Sequence, residues 1–176
     1  MTLRTLLALA GITILAPFQA APALAHATLE VTQAPIKSSY KATIRVGHGC
    51  QGSATLKVRV RIPEGYIAVK PMPKAGWALE TIRAPYPQPV KYYDETLKEG
   101  VREVIWTGKL LDEHYDEFVV RGYLSDALEP GSRLYIPVVQ ECETGTHRWI
   151  EIPAPGKSAD DYKEPAPSVK LLPATN

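Results

Sequence analysis

The sequence predicts an all-β chain, a single β-sandwich behind a cleaved signal peptide. Three observations carry this. Residues Met1–Ala25 hold one basic residue, Arg4, an apolar run from Leu6 to Leu15, and then Ala23-Leu24-Ala25. That is the charge, apolar core and A-x-A order of a secretory signal. Beyond it, short runs rich in Val, Ile, Tyr and Trp recur between Pro, Gly and Asp, as strands recur between turns. No window of helical length shows a 3.6-residue period, and about seven or eight short strands separated by turns make a sandwich. The expected division is a signal peptide at 1–25, a sandwich at 26–153 and a Pro-rich tail at 154–176.

The expected strands are Thr28–Thr32, Tyr40–Val46, Thr55–Ile62, Trp77–Ile82, Val101–Thr107, Glu117–Leu124, Arg133–Gln140 and Thr146–Ile152. Thr55–Ile62 alternates Leu56, Val58, Val60 and Ile62 with Thr55, Lys57, Arg59 and Arg61. This is the pattern of a half-buried strand, and its basic face would also protect a sheet edge. Pro63-Glu64-Gly65, Pro71-Met72-Pro73, Pro85–Pro89 and Glu129-Pro130-Gly131 read as breaks, and Asp94–Gly100 as at most a short turn. From Pro153 onward Pro and Ala dominate, which reads as a loose end.

Composition excludes several function classes. Without Arg4 the basic and acidic residues balance at 19 and 19, and no basic run occurs, which argues against nucleic acid as a partner. No apolar stretch after the signal approaches the ~20 residues of a membrane span. The mature chain therefore reads as exported, periplasmic or extracytoplasmic, with no membrane span. Both cysteines, Cys50 and Cys142, lie in the mature part, and an even count in an exported protein favours a disulfide. The competing reading is a thiolate copper site, but that needs an axial Met beside His and Cys ligands, and Met72 has neither near it in sequence.

Cleavage after Ala25 makes His26 the first residue. Its freed α-amine and ring Nδ1 can close a chelate on one metal ion, which no internal histidine can do. An α-amine titrates near 7.7–8, so a metal displaces its proton around neutral pH. Ala21-Pro22-Ala23 is a second cleavage match that would leave Leu24 in front and no chelate, though Pro22 fits it poorly.

Three further histidines follow. His48 sits in Gly47-His48-Gly49-Cys50, where the flanking glycines let the chain turn and leave the ring accessible. A Cys50–Cys142 bridge would hold that loop against Cys142–Trp149, where Gly145 reads as a hairpin turn and His147 and Trp149 share a face. The bridge would gather His48, Glu141, Glu143, His147 and Trp149 into one neighbourhood. His114, in Asp112-Glu113-His114-Tyr115-Asp116, reads as a solvated turn residue. Gly-x-Ser-x-Gly, His-Glu-x-x-His and phosphate-cradling glycine loops are all absent, so an enzyme is not the expectation.

Several segments together resemble the YcnI-like copper-binding proteins. They are Ala25-His26-Ala27-Thr28-Leu29-Glu30, the Gly47–Cys50 loop, Ile62-Pro63-Glu64-Gly65, Gly76-Trp77, Asp116-Glu117-Phe118, Val139-Gln140-Glu141-Cys142 and Arg148-Trp149. The resemblance covers nearly the whole mature chain. It implies an immunoglobulin-/cupredoxin-like sandwich and Cu(II) held in a monohistidine brace. His26 would then be the brace and Trp149 the tryptophan beside the metal. The family's carboxylate ligand has no counterpart in positions 47–55. His48 is the expected replacement, with Glu30, Glu141 and Glu143 as the carboxylate candidates.

The implied function is copper storage, delivery or homeostasis, with the copper ion and other copper-handling proteins as partners. Two rivals stand beside it. One is a copper-dependent redox enzyme using the same brace; the other is a metal-free interaction or adhesion sandwich.

Overall fold

A computed structural model of the chain describes residues 26–175, so the signal peptide read at 1–25 lies outside the described residues. The strands are β1 (Thr28–Leu29), β2 (Gln33–Pro35), β3 (Ser38–Val46), β4 (Thr55–Arg61), β5 (Tyr66–Pro71), β6 (Ala78–Tyr92), β7 (Glu95–Leu110), β8 (Asp116–Leu124), β9 (Arg133–Tyr135), β10 (Val138–Cys142), β11 (Thr146–Trp149) and β12 (Ser168–Leu172). They form a four-stranded sheet in the order β1-β3-β8-β5 and a five-stranded sheet in the order β11-β10-β4-β7-β6. A small third sheet runs β2-β12-β9. The architecture is the expected all-β sandwich.

Alternation decides which side chains fill the space between the sheets. On β3, Ala42, Ile44 and Val46 face inward; on β4, Val58 and Val60 do. Val104 and Trp106 of β7 meet Phe118 of β8, with the Trp106 and Phe118 ring centres 5.5 Å apart. Trp77 closes on the same phenyl ring edge-on at 4.9 Å. Each such large side chain taken from water contributes about 1.5–3 kcal/mol, so the core rests on these facing rows.

β4 lies between β10 and β7, so its basic face protects no edge, contrary to expectation. Its neighbours supply the reason. Arg59 pairs with Glu103 of β7 at 2.8 Å and with Glu141 of β10 at 3.6 Å, and Lys57 pairs with Glu141 at 3.6 Å. The basic row is the middle of a cross-strand charge ladder.

The Pro85–Pro89 stretch is strand rather than break. β6 is the outer strand of its sheet, where a missing N–H costs no ladder bond. The ladder shifts between Pro85 and Val90 to absorb the prolines. β6 and β7 then close through Tyr93 and Asp94, with Tyr92 paired to Glu95 and Tyr93 at a φ of 52°. The expected turn at 94–100 is therefore mostly β7. The expected strand Arg133–Gln140 is interrupted at Ile136-Pro137, giving β9 and β10.

The C-terminal segment is not loose. β12 pairs parallel to β2 and antiparallel to β9. Val169 and Leu171 point inward and are essentially fully buried, while Lys170 points out. The sandwich core thus includes residues past the boundary expected at 153. Short length and neighbouring prolines hid an ordinary two-residue alternation.

The cysteines form a disulfide, with Cα atoms 5.8 Å apart and a sequence separation of 92. It ties the loop after β3 to the end of β10, and so joins the two large sheets. Closing a loop of that size stabilises by about 4–5 kcal/mol in the chain-entropy account.

Cys50→Ser/Cys142→Ser is expected to lower the unfolding free energy by about 2–5 kcal/mol in urea titrations. An unchanged midpoint would mean that the bridge adds nothing to the fold. Leu171→Ala is expected to cost about 2–5 kcal/mol. A loss below about 0.5 kcal/mol, the range of a surface substitution, would show that β12 is not part of the core.

Candidate metal centre

Strand register brings the start of β1 to the His48 loop. β1 runs antiparallel to β3, with Thr28 opposite Arg45 and Leu29 opposite Ile44. Continued two residues toward the N-terminus, the same register sets His26 across from Gly47, next to His48. On the other sheet, β10 and β11 form the hairpin whose turn is Gly145, at a φ of 85°. The disulfide holds the two ends together.

The His48 loop is fixed from several sides. Gln51 and Gly52 both have positive φ, and Cys50 and Ser53 exchange backbone hydrogen bonds at 2.9 and 3.1 Å across them, as in a type I′ turn. The Gly49 N–H donates to Asp112 Oδ1 at 2.9 Å. A Cβ on Gly49 would lie 1.8 Å from the Ser53 carbonyl oxygen, so only glycine fits there. The Ser53 hydroxyl donates to the Thr144 carbonyl, and the Thr144 N–H donates to Ser53 Oγ. The loop and the β10–β11 turn are therefore one hydrogen-bonded unit.

Beneath this unit lies Gln140, which is 1% exposed. Its Nε2 donates to the His48 carbonyl at 2.7 Å and to Thr55 Oγ1 at 2.8 Å. Its Oε1 accepts from Trp149 Nε1 at 3.1 Å. One buried amide thus fixes both the backbone of His48 and the plane of the Trp149 indole. Sequence reasoning missed it, because Gln inside Val138-Val139-Gln140-Glu141-Cys142 carries no local signal beyond its inward register.

A chain of ring contacts runs through the site. His26 meets Trp149 edge-on at 5.6 Å between ring centres. His147 stacks on Trp149 at 4.7 Å with planes 25° apart, as expected for residues on one face of β11. His48 meets His147 edge-on at 5.7 Å. His26 Nε2 is buried and has no hydrogen-bond partner among the described residues. A buried polar atom left so calls for a functional reason. Among the described residues, no three or more His, Cys, Asp or Glu side chains are grouped to hold a metal.

The carboxylate candidates sit elsewhere, in ion pairs of their own. Glu30 pairs with Arg45 at 3.4 Å. Glu141, next to Gln140 on β10, faces the opposite side of the sheet and binds Lys57 and Arg59. Glu143 binds Lys109 at 2.7 Å, and that hydrogen bond and charge hold its carboxyl below the usual range. The carboxylate that does reach the cluster is Glu164, which sequence reasoning also missed. It accepts from His147 Nδ1 at 2.8 Å and from the Arg148 N–H at 3.0 Å. Burial opposes its charge, but the His147 and Arg148 bonds together with the His147 charge outweigh that and lower its pKa. His114 is exposed on the β7–β8 loop beside Glu113, as expected.

A family model described as "Domain of unknown function (DUF1775)" matches residues 26–171. That match starts at His26 and ends within β12. A solved structure of an uncharacterized protein from Nocardia farcinica, described as an immunoglobulin-like fold, superposes with a TM-score of 0.61 at 20% identity. The alignment covers 85% of this chain and 99% of that one. At this identity the likeness shows the fold alone, and the fold is immunoglobulin-like. No curated protein sequence matches the chain.

Gln140→Leu keeps the volume but strands the Trp149 Nε1–H, the His48 carbonyl and the Thr55 hydroxyl. It is expected to cost about 3 kcal/mol or more, since each buried group left unpaired costs about 1–3. Urea unfolding followed by indole fluorescence measures this, and a loss under about 1 kcal/mol would contradict the tie.

Proposed function

The chain belongs to the DUF1775 family, the family of the YcnI-like proteins, and from that premise we propose that it is an exported copper-binding protein. It holds Cu(II) through the amine and Nδ1 of His26, in a periplasmic or extracytoplasmic compartment. Copper is its cargo, in storage, delivery or homeostasis, and catalysis is not its role. Other copper-handling proteins are the partners such a role requires.

The observation that carries this reading is the edge-on contact of His26 with Trp149, 5.6 Å between ring centres, on an indole that is itself buried and hydrogen-bonded. A metal on Nδ1 keeps the remaining ring proton on Nε2. That atom is buried beside the indole and takes no hydrogen bond, so the tautomer the chelate needs displaces no existing bond. By the resemblance, His48 takes the position of the family's carboxylate. A site of amine and imidazole nitrogens suits Cu(II), which heads the divalent series for such ligands. The ion pairs that engage Glu30, Glu141 and Glu143 support the imidazole over those carboxylates.

Intact-mass measurement of the exported protein is expected to give His26 as the first residue; a chain beginning at Leu24 would remove the chelate. In Cu(II) titrations of the mature protein, His26→Ala is expected to weaken binding by about 100-fold or more. That exceeds the 10–100-fold typical of losing an outer-shell partner. Equal affinities would reject the brace.

A further inference from the structure

Two histidines of the cluster are oriented from behind in the manner of metal ligands. A carbonyl oxygen can only accept, so the 2.5 Å contact of His48 Nδ1 with the Gly49 carbonyl puts the proton on Nδ1. The same argument applies to His147, whose Nδ1 donates to the Glu164 carboxylate at 2.8 Å. In the neutral form of either ring, Nε2 then carries the lone pair. Metal-binding histidines are held this way, with the far N–H on a carboxylate or a backbone carbonyl. The rings are perpendicular with centres 5.7 Å apart. An imidazole bound at about 2.0–2.1 Å sets its ring centre about 3 Å from the metal, so this spacing fits one shared ion.

We propose that His48 and His147 are a two-imidazole ligand pair for a divalent transition metal, Cu(II) first, oriented by the Gly49 carbonyl and by Glu164. The pair rests on the copper reading for the choice of metal, but not on the brace, since neither ring needs a free amine. Because no third His, Cys, Asp or Glu among the described residues completes the group, the other positions fall to water or to the nitrogens of His26. The pair also gives the C-terminal segment a task. Glu164 donates its backbone N–H to Glu151 Oε2 at 2.6 Å, and its carbonyl accepts from the Ile150 and Glu151 N–H groups at 3.0 and 3.1 Å. Its carboxylate therefore approaches His147 from a fixed backbone. Trp149 stacks on the His147 ring and keeps it from rotating.

Ring-nitrogen NMR of the labelled mature protein, with Zn(II) as a diamagnetic probe, tests the pair directly. Zn(II) is expected to shift Nε2 of both His48 and His147 while each Nδ1 stays protonated. In Cu(II) titrations, His147→Ala is expected to lose at least about tenfold in affinity, and Glu164→Gln about tenfold, the range for an orienting partner. Should His147→Ala not fold by near-ultraviolet circular dichroism, His147→Gln serves in its place. An unmoved His147 Nε2, or a His147 variant that titrates like wild type, overturns the pair. The brace is read separately. A neutral His26→Ala with a weakened His147 variant rejects the brace and keeps the pair, and the reverse pattern rejects the pair and keeps the brace. Neither metal binding to the wild type overturns both.

Discussion

The Gln140 amide holds its three partners in fixed positions: the His48 carbonyl, the Thr55 hydroxyl and the Trp149 indole N–H. Both amide hydrogens and the amide oxygen are in use, away from water, where an unmade hydrogen bond costs most. The partners come from the loop after β3, from β4 and from β11, so one side chain sets the relative positions of three elements. The Cys50–Cys142 bridge alone would hold the loop near β10 without fixing which way the His48 backbone or the indole faces. With the amide in place, the rings of His26, Trp149, His147 and His48 have a defined floor.

The strand order explains why this floor lies beside the start of β1. Among the described residues β1 is an edge strand paired to β3, and the β1–β3 register carries the segment before Thr28 to the loop that β3 leads into. His26 lies edge-on to the Trp149 indole, on which His147 stacks.

Much of this was legible in the sequence, wherever the signal is local. The alternation of Thr55–Ile62, the Gly145 turn, the shared face of His147 and Trp149 and the pairing of two cysteines in an exported chain follow from residue type and spacing. The non-local features were not. Nothing in the spelling of β10 distinguishes Gln140, whose role depends on partners 85 residues away at Thr55 and 92 away at His48. Glu164 sits in a segment that composition marks as loose, and only the docking of β12 and the Glu151 contacts bring it to His147. The Pro85–Pro89 stretch reads as a break because sequence does not say that β6 is an outer strand. The carboxylate candidates were chosen by nearness in sequence, and each proved engaged by a basic neighbour across a strand or sheet.

A crystal structure of the exported protein soaked with copper would show whether His26 holds the metal. One Cu(II) is expected within about 2.0–2.1 Å of both the α-amine and Nδ1 of His26, with the Trp149 indole beside it. Copper bound elsewhere while both nitrogens of His26 stay unligated would contradict it.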